Sequence, residues 1–239
     1  MPLEPVAPEL HHPVPSWRPL VTVNAAVSLD GRIAGRGGRT LRLSDREDLG
    51  RVHRMRAVHD AILVGIGTVL ADDPALVIKH EYHAEGGRDP MRVVLDSHHR
   101  TPLTARVASG TPPTLIYSVG AEDRIERLRK MHGVEVVACP RDASGRVDLK
   151  AALGDLKARG IESLMVEGGS RVLASFFRAG FVDRVTLFVA PVLVGEGAPP
   201  LVAVDAEDSG TPLAGFTLVH ATGRPSGAVV HLLPDKAPR

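Results

Sequence analysis

Apolar and polar positions along this chain switch repeatedly between a period of two and a period near 3.6. Val21, Val23, Ala25 and Val27 alternate with their neighbours and would share one face of a strand. Ser44-Asp-Arg-Glu47 has the form of a capping box, which predicts a helix from there to about Val58 with Leu49, Val52 and Met55 as its apolar stripe. Short apolar runs at Ala61 to Gly65, Met91 to Leu95, Thr114 to Tyr117, Val134 to Ala138 and Ser163 to Val166 read as buried strands. A charged helix is expected around Glu122 to Met131. Another carries Leu149, Ala152, Leu153 and Leu156 at helical spacing, with Gly160 as its left-handed exit. Val172 to Ala179 is amphipathic in the same sense. Arg184 to Ala190 and Ala228 to Leu233 look like long strands with no helix between them, which predicts an antiparallel end to the sheet. The alternation as a whole predicts stacked βα units over a mostly parallel sheet. A single domain over residues 18–235 is expected, after a flexible proline-rich tail at 1–17.

Composition narrows the function. The 239 residues are 44% hydrophobic and 24% charged, enough for one substantial core. A formal net charge of +1 provides no field for nucleic acid or an anionic membrane, so small molecules are the expected ligands. No apolar run approaches the ~20 residues that span a bilayer, and Met1 to Pro19 lacks a signal-peptide core. A cytoplasmic setting is expected, and the single cysteine, Cys139, is expected to be an inert packed thiol.

Candidate chemistry gathers at strand ends, where open α/β sheets bind ligands. Gly65-Ile-Gly-Thr68 is followed by Asp72-Asp73-Pro74, and Thr68 and Asp72 lie four apart, on one face of any helical turn. A hydroxyl and a carboxylate there suit a cofactor's ribose or amide; the alternative is a tight strand exit capped by Thr68. Glu167-Gly168-Gly169-Ser170 lets a pyrophosphate approach the backbone at a helix start, or simply avoids crowding there. Asp30, in Ser28-Leu-Asp-Gly31, stands at the end of the first strand as either a turn residue or a catalytic acid. Arg56 and Lys79 are candidate phosphate anchors or surface cations, and Arg51 and Arg54 read as solvated. His83-Ala-Glu85 has half of a zinc-deaminase signature but no Pro-Cys-x-x-Cys follows, so no metal is assigned.

Taken together, Val27-Ser-Leu-Asp-Gly-Arg32, Arg54-Met-Arg56, Val64-Gly-Ile-Gly-Thr-Val-Leu-Ala-Asp-Asp-Pro74, Arg92-Val-Val-Leu-Asp-Ser97, Val166-Glu-Gly-Gly169, Val182-Asp-Arg184 and Ala190-Pro191 resemble the riboflavin-biosynthesis reductases. The likeness covers roughly Arg18 to Val202 and is nearest to the stand-alone members that use a diaminopyrimidinone. It implies a dihydrofolate-reductase-like α/β fold with helices on both faces of the sheet, NADPH as cofactor, and a homodimer. It also implies hydride transfer to C1′ of a ribosylamino group. Carried over position by position, Ala26, Arg42, Thr68, Asp72, Ser97, Gly168, Gly169, Ser170, Arg171 and Val172 would contact NADPH. Thr40, Arg56, Leu76, Lys79 and Glu167 would face the substrate. Asp30 and Glu167 are the candidates for stabilising a cationic imine or relaying a proton, Asp30 being favoured nearer the reacting centre. The rival readings are the reductase of the deaminated uracil analogue, a dihydrofolate reductase, and a non-catalytic NADPH-binding sensor.

Overall fold

A computed structural model describes residues 13–83, 88–120, 123–203 and 213–235. One nine-stranded sheet runs through them. Its strands are β1 Leu20–Ser28, β2 Ala61–Gly65, β3 Met91–Leu95, β4 Thr114–Ser118, β5 Val134–Ala138, β6 Ser163–Gly168, β7 Arg184–Ala190, β8 Phe216–Arg224 and β9 Gly227–Pro234. The helices are α1 Arg46–Ala57, α2 Ile66–Asp72, α3 Asp123–Arg129, α4 Leu149–Ala158 and α5 Ser170–Ala179. The spatial order is β5-β4-β3-β2-β6-β1-β7-β9-β8. Every pairing among β1 to β7 is parallel, and β9 pairs antiparallel with both β7 and β8. The mostly parallel sheet with an antiparallel C-terminal edge is therefore as expected.

Both faces of the sheet are covered, which is why β2 and the start of β6 read as unbroken apolar runs. On one face Val21, Val23, Leu63 and Val166 pack with Leu153 and Leu156 of α4 and Leu173 and Phe176 of α5. On the other, Ile62, Val64 and Met165 pack with Met55 of α1, Val69 of α2 and Leu128 of α3. Fully burying each such Leu, Ile or Phe contributes roughly 1.5–3 kcal/mol. Three residues of α5, Leu173, Phe176 and Phe177, share the spacing of zero, three and four that seats this helix on the sheet.

Several local expectations need revision. The first helix is capped by Asp45, whose carboxylate accepts from the Asp48 N–H at 2.6 Å, so the cap lies one residue later than Ser44. Glu47 closes no reciprocal box; its carboxylate instead lies 2.9 Å from Arg224. Arg51 is buried rather than solvated, because Asp48 and Asn24 accept its N–H groups at 2.8 and 2.9 Å. Thr68 is the third residue of α2 and not its cap, since the helix begins at Ile66 after Gly65. Trp17 belongs to the packed body rather than to a tail: its ring meets Phe181 edge-on at 5.5 Å. Next to it, Arg18 is fully buried and paired with Asp183. Residues 1–12, Glu85 and Glu122 lie outside the described residues. Cys139 is buried, and that burial pushes its thiol up to about 11.

Strand order explains the location of the site. The chain leaves β1, skips a position to β2, and runs outward through β5 before β6 returns between β2 and β1. Connections leaving β1 and β2 on either side of β6 open a crevice at the carboxyl ends of these three strands.

Candidate active site

A cavity of about 280 Å³ opens at this crevice. Its walls bring together Ala26 from β1, Arg42 from the following loop, Thr68 and Asp72 from α2, and Glu167 and Gly169 from the end of β6. These six were expected from the sequence. Its apolar side, formed by Ile33, Leu41, Leu43 and Leu49, was not. The alternation of Leu41 and Leu43 around Arg42 was the available signal. A larger groove, about 400 Å³, lies between Trp17 and α4 and contains none of the expected residues.

Thr68 and Asp72 do share one face of α2. Thr40 closes over them, its hydroxyl donating to Asp72 at 2.8 Å. Opposite, β6 ends at Gly168, whose φ of 112° suits glycine alone, and the Gly168–Gly169 peptide is cis. Gly169 is the N-cap of α5 and has no side chain to satisfy the first N–H groups of that helix. A Cβ at Gly169 would lie 3.2 Å from Thr68 Oγ1, a tight approach, so glycine leaves more space between the α2 face and the α5 N-terminus than any other residue. Bare backbone amides, a positive helix end and this clearance fit a pyrophosphate. The two walls approach because Gly65 has no side chain: a Cβ there would lie 2.5 Å from Val172 Cγ2.

Glu167 is the polar floor of the cavity, and Arg56, which does not itself line it, holds that carboxylate in place. Arg56 Nε and one terminal nitrogen donate to the two Glu167 oxygens at 2.8 and 2.7 Å, and the other terminal nitrogen donates to the Val77 carbonyl at 2.9 Å. Burial disfavours the Arg56 charge, but the Glu167 carboxylate more than compensates and leaves the guanidinium above its ordinary value. Leu76 is buried with φ 50°, and Lys79 follows it as an exposed cation.

Other expected residues stand elsewhere. Ser97, at the end of β3, accepts the Val147 N–H at 3.0 Å. Ser170 donates its hydroxyl to the Pro200 carbonyl, Arg171 is exposed, and Val172 packs on Gly65. Asp30 does not line the cavity. Its carboxylate accepts the Ser28 hydroxyl at 2.6 Å and the Val194 and Gly195 N–H groups at 3.0 and 2.7 Å. These bonds, the Ser28 hydroxyl first, hold it well below the usual carboxylate range. Asp30 is thus a fixed anion that pins the loop after β7, and this occupied carboxylate is poorly suited to relaying a proton. His83 lies 3.5 Å from Asp89, and no cluster of metal-ligating side chains occurs among the described residues.

The chain with this crevice belongs to a known class of reductase. Residues 19–229 match the model of the RibD C-terminal domain, and the chain belongs to that family of riboflavin-biosynthesis reductases. It is an oxidoreductase. A relative from Methanothermobacter thermautotrophicus is 46% identical over 192 residues, covering 80% of this chain and 85% of its own. One from Archaeoglobus fulgidus is 40% identical over 193 residues, covering 77% and 86%. Both are named 2,5-diamino-6-ribosylamino-4(3H)-pyrimidinone 5′-phosphate reductase. Among solved structures, Acinetobacter baumannii RibD superposes with a TM-score of 0.76 at 26% identity, over 92% of this chain and 59% of that one. A Thermotoga maritima deaminase and 5-amino-6-(5-phosphoribosylamino)uracil reductase gives 0.72 at 28%, over 91% and 57%. The chain thus spans little more than half the length of these two solved chains.

Proposed function

We propose that this protein reduces the ribosylamino group of 2,5-diamino-6-ribosylamino-4(3H)-pyrimidinone 5′-phosphate to a ribitylamino group with NADPH. The observation that carries the reading is the cavity itself, where a glycine turn suited to pyrophosphate faces the Glu167 carboxylate held by Arg56, in a chain whose relatives from Archaeoglobus and Methanothermobacter bear that substrate's name. When bound, NADPH supplies the hydride that adds to C1′ of the ring-opened, imine-like substrate. The protein's own work is placement, since transfer needs the reacting atoms within about 3–3.5 Å.

Thr68 and Asp72, the latter steadied by Thr40, serve the cofactor's polar groups, and the Gly168 to Arg171 turn serves its pyrophosphate. Ala26 and Arg42 complete the cofactor set from the cavity wall, while Ser97 and Val172, assigned to it by the resemblance, do not line the cavity. Thr40, Arg56, Leu76, Lys79 and Glu167 receive the substrate. Glu167, fixed by Arg56, lies in the cavity wall and is the group suited to hold a developing cation at the ribosylamine. Asp30 contributes a fixed negative charge at the end of β1.

Hydride consumption from NADPH with the diamino substrate tests the reading. Turnover is expected with NADPH in preference to NADH, and absence of turnover with a ribosylaminopyrimidine phosphate overturns it. The Thermotoga relative favours one second reading, reduction of the deaminated uracil analogue. Exchanging an exocyclic amine for a carbonyl reverses donor and acceptor demands and costs ~1–3 kcal/mol when buried, so one substrate should clearly prevail. The same proposal takes the enzyme as a cytoplasmic homodimer, and a monomer by light scattering would count against that part.

A further inference from the structure

Beside the floor of the site, α1 grips the chain that follows α2. His53 is 6% exposed and stacks on Tyr82, with ring centroids 4.9 Å apart and planes 11° from parallel. Gly50 gives the tyrosine its room, since a Cβ there would lie 3.2 Å from Tyr82 Cε1. His53 Nδ1 accepts the backbone N–H of Lys79 at 3.4 Å. One turn further along the same face of α1, Arg56 donates to the Val77 carbonyl at 2.9 Å. A carbonyl, an amide and a ring thus fix the path of residues 77–82, and Lys79 sits in the middle of it.

Only a neutral imidazole can accept at Nδ1. The charged groups facing the ring are Arg56 on α1, Lys79 and Glu81 on the gripped segment, and Glu167 on β6. Burial first, then the two cations, push the imidazole below its ordinary value, with the two carboxylates opposing.

We infer that His53 is a positioning residue for the substrate: its neutral ring fixes the Lys79 backbone and thereby aims the Lys79 ammonium at the anionic end of the ligand. The inference rests on Lys79 being a substrate contact, as proposed above. Protonation sets an N–H of the ring against the N–H of Lys79 and places a third cation beside Arg56 and Lys79. The added charge attracts a phosphate only across the length of a lysine side chain, whereas the opposed donors meet directly in a buried site. Loss of aim therefore outweighs gain of charge.

The test compares kcat and KM for the ribosylaminopyrimidine phosphate across mildly acidic to neutral pH in the wild type, His53→Asn and His53→Ala. Asparagine can place an oxygen where Nδ1 stands, yet does not titrate. Wild-type KM is expected to rise about tenfold on acidification, the equivalent of one ordinary hydrogen bond, with kcat little changed. His53→Asn should retain only the shallow slope that the substrate phosphate contributes with its own pKa near ~6. His53→Ala should have a raised KM at every pH. Identical pH profiles in wild type and His53→Asn overturn the inference. So does a wild-type KM that falls on acidification, which would make His53 a cationic phosphate contact.

Hydrogen-exchange protection of the Lys79 amide provides a readout free of turnover. Protection is expected in wild type at neutral pH and in His53→Asn, and its loss in His53→Ala and in acidified wild type. Equal protection throughout removes the positioning role. If the pyrimidine substrate is not turned over, the functional reading fails separately, and calorimetric binding of ribose 5-phosphate replaces KM in the same comparison.

Discussion

Gly65→Ala should disturb the cofactor turn by displacing the wall behind it. The new Cβ would lie 2.5 Å from Val172 Cγ2, about 1 Å inside ordinary van der Waals contact, with the Gly168 carbonyl 3.9 Å away on the same side. Two responses are open. Val172 can rotate, but a β-branched residue within a helix has one strongly preferred χ1, and leaving it costs ~0.5–1.5 kcal/mol. Otherwise α5 moves away from β2, which is overpacking at ~1–3 kcal/mol. The substitution should therefore cost ~1–3 kcal/mol, and in a chain of this size each kcal/mol lowers Tm by roughly 2–4 °C. Because α5 begins at the Gly168–Ser170 turn, a shift of ~1 Å there should reduce kcat/KM by up to ~100-fold. A double-mutant cycle isolates the contact. Val172→Ala removes the opposing methyl, so the double variant should lose at least ~1 kcal/mol less stability than the two single changes added together. Thermal and denaturant unfolding supply the four values. Additivity within ~0.5 kcal/mol would refute the close approach as the reason for glycine at this position.

Asp183→Asn should destabilise strongly, because the buried Arg18 donates to both Asp183 oxygens at 2.7 and 2.9 Å and the Val21 N–H to one of them at 2.7 Å, and an amide removes the negative charge and one of the two acceptors. A loss of ~3–5 kcal/mol is expected by urea unfolding, and a change below ~1 kcal/mol would contradict the buried-pair account. Asp30→Asn places an amide against the Gly195 N–H, so exchange protection at Val194 and Gly195 should drop and reduction should slow severalfold while NADPH affinity is largely kept. Unchanged protection and unchanged turnover together would remove Asp30 from any role in shaping the site. Acidification should weaken the fold, since burial lowers His53, His59 and His231 below their ordinary value. The unfolded chain then binds more protons below pH ~6.5, so stability is full above that value and falls as pH drops toward the depressed native pKa values. A Tm that stays constant as pH is lowered from neutrality to ~5 would contradict this.

Burial on both faces is what made the central strands legible. The range of β2 coincides with its apolar run because all five of its residues are buried, whereas the edge strand β5 was legible through Val134 and Val136, which are buried on either side of the exposed Glu135. Strand β8 escaped for the opposite reason. Phe216–Arg224 is an edge strand held only by β9, mostly half-exposed or exposed, and its Thr, His and Gly residues carry neither a clear alternation nor an apolar run. The glycine turn and the Thr68/Asp72 face were readable because each is local in sequence. The partners that define the electrostatics were not. Arg56 meets Glu167 across 111 residues, and Arg18 meets Asp183 across 165, separations that no periodicity records. Arg51 lay within reach of a local argument, since Asp48 precedes it by three on one helix, but a charge pair at that spacing is ordinarily solvent-facing and only the fold turns it inward.

The Arg56–Glu167 pair raises a question about how a substrate could use two groups already bound to each other. A guanidinium has five N–H donors. Glu167 and the Val77 carbonyl take one from each of its three nitrogens, which leaves two on the terminal nitrogens. The carboxylate likewise accepts one bond on each oxygen from Arg56 and retains further lone pairs, which under the proposed function would accept from the amines of the pyrimidine. The pair therefore need not break for substrate to bind. Its mutual neutralisation makes both groups tolerable where each is only about 15% exposed before the ligand arrives, and it removes the rotamer freedom that binding would otherwise have to freeze. In the proposed reaction, a carboxylate held in place this way would not reorganise as positive charge develops at the ribosylamine nitrogen, and a group that is already oriented stabilises such a charge more than one that must turn to meet it.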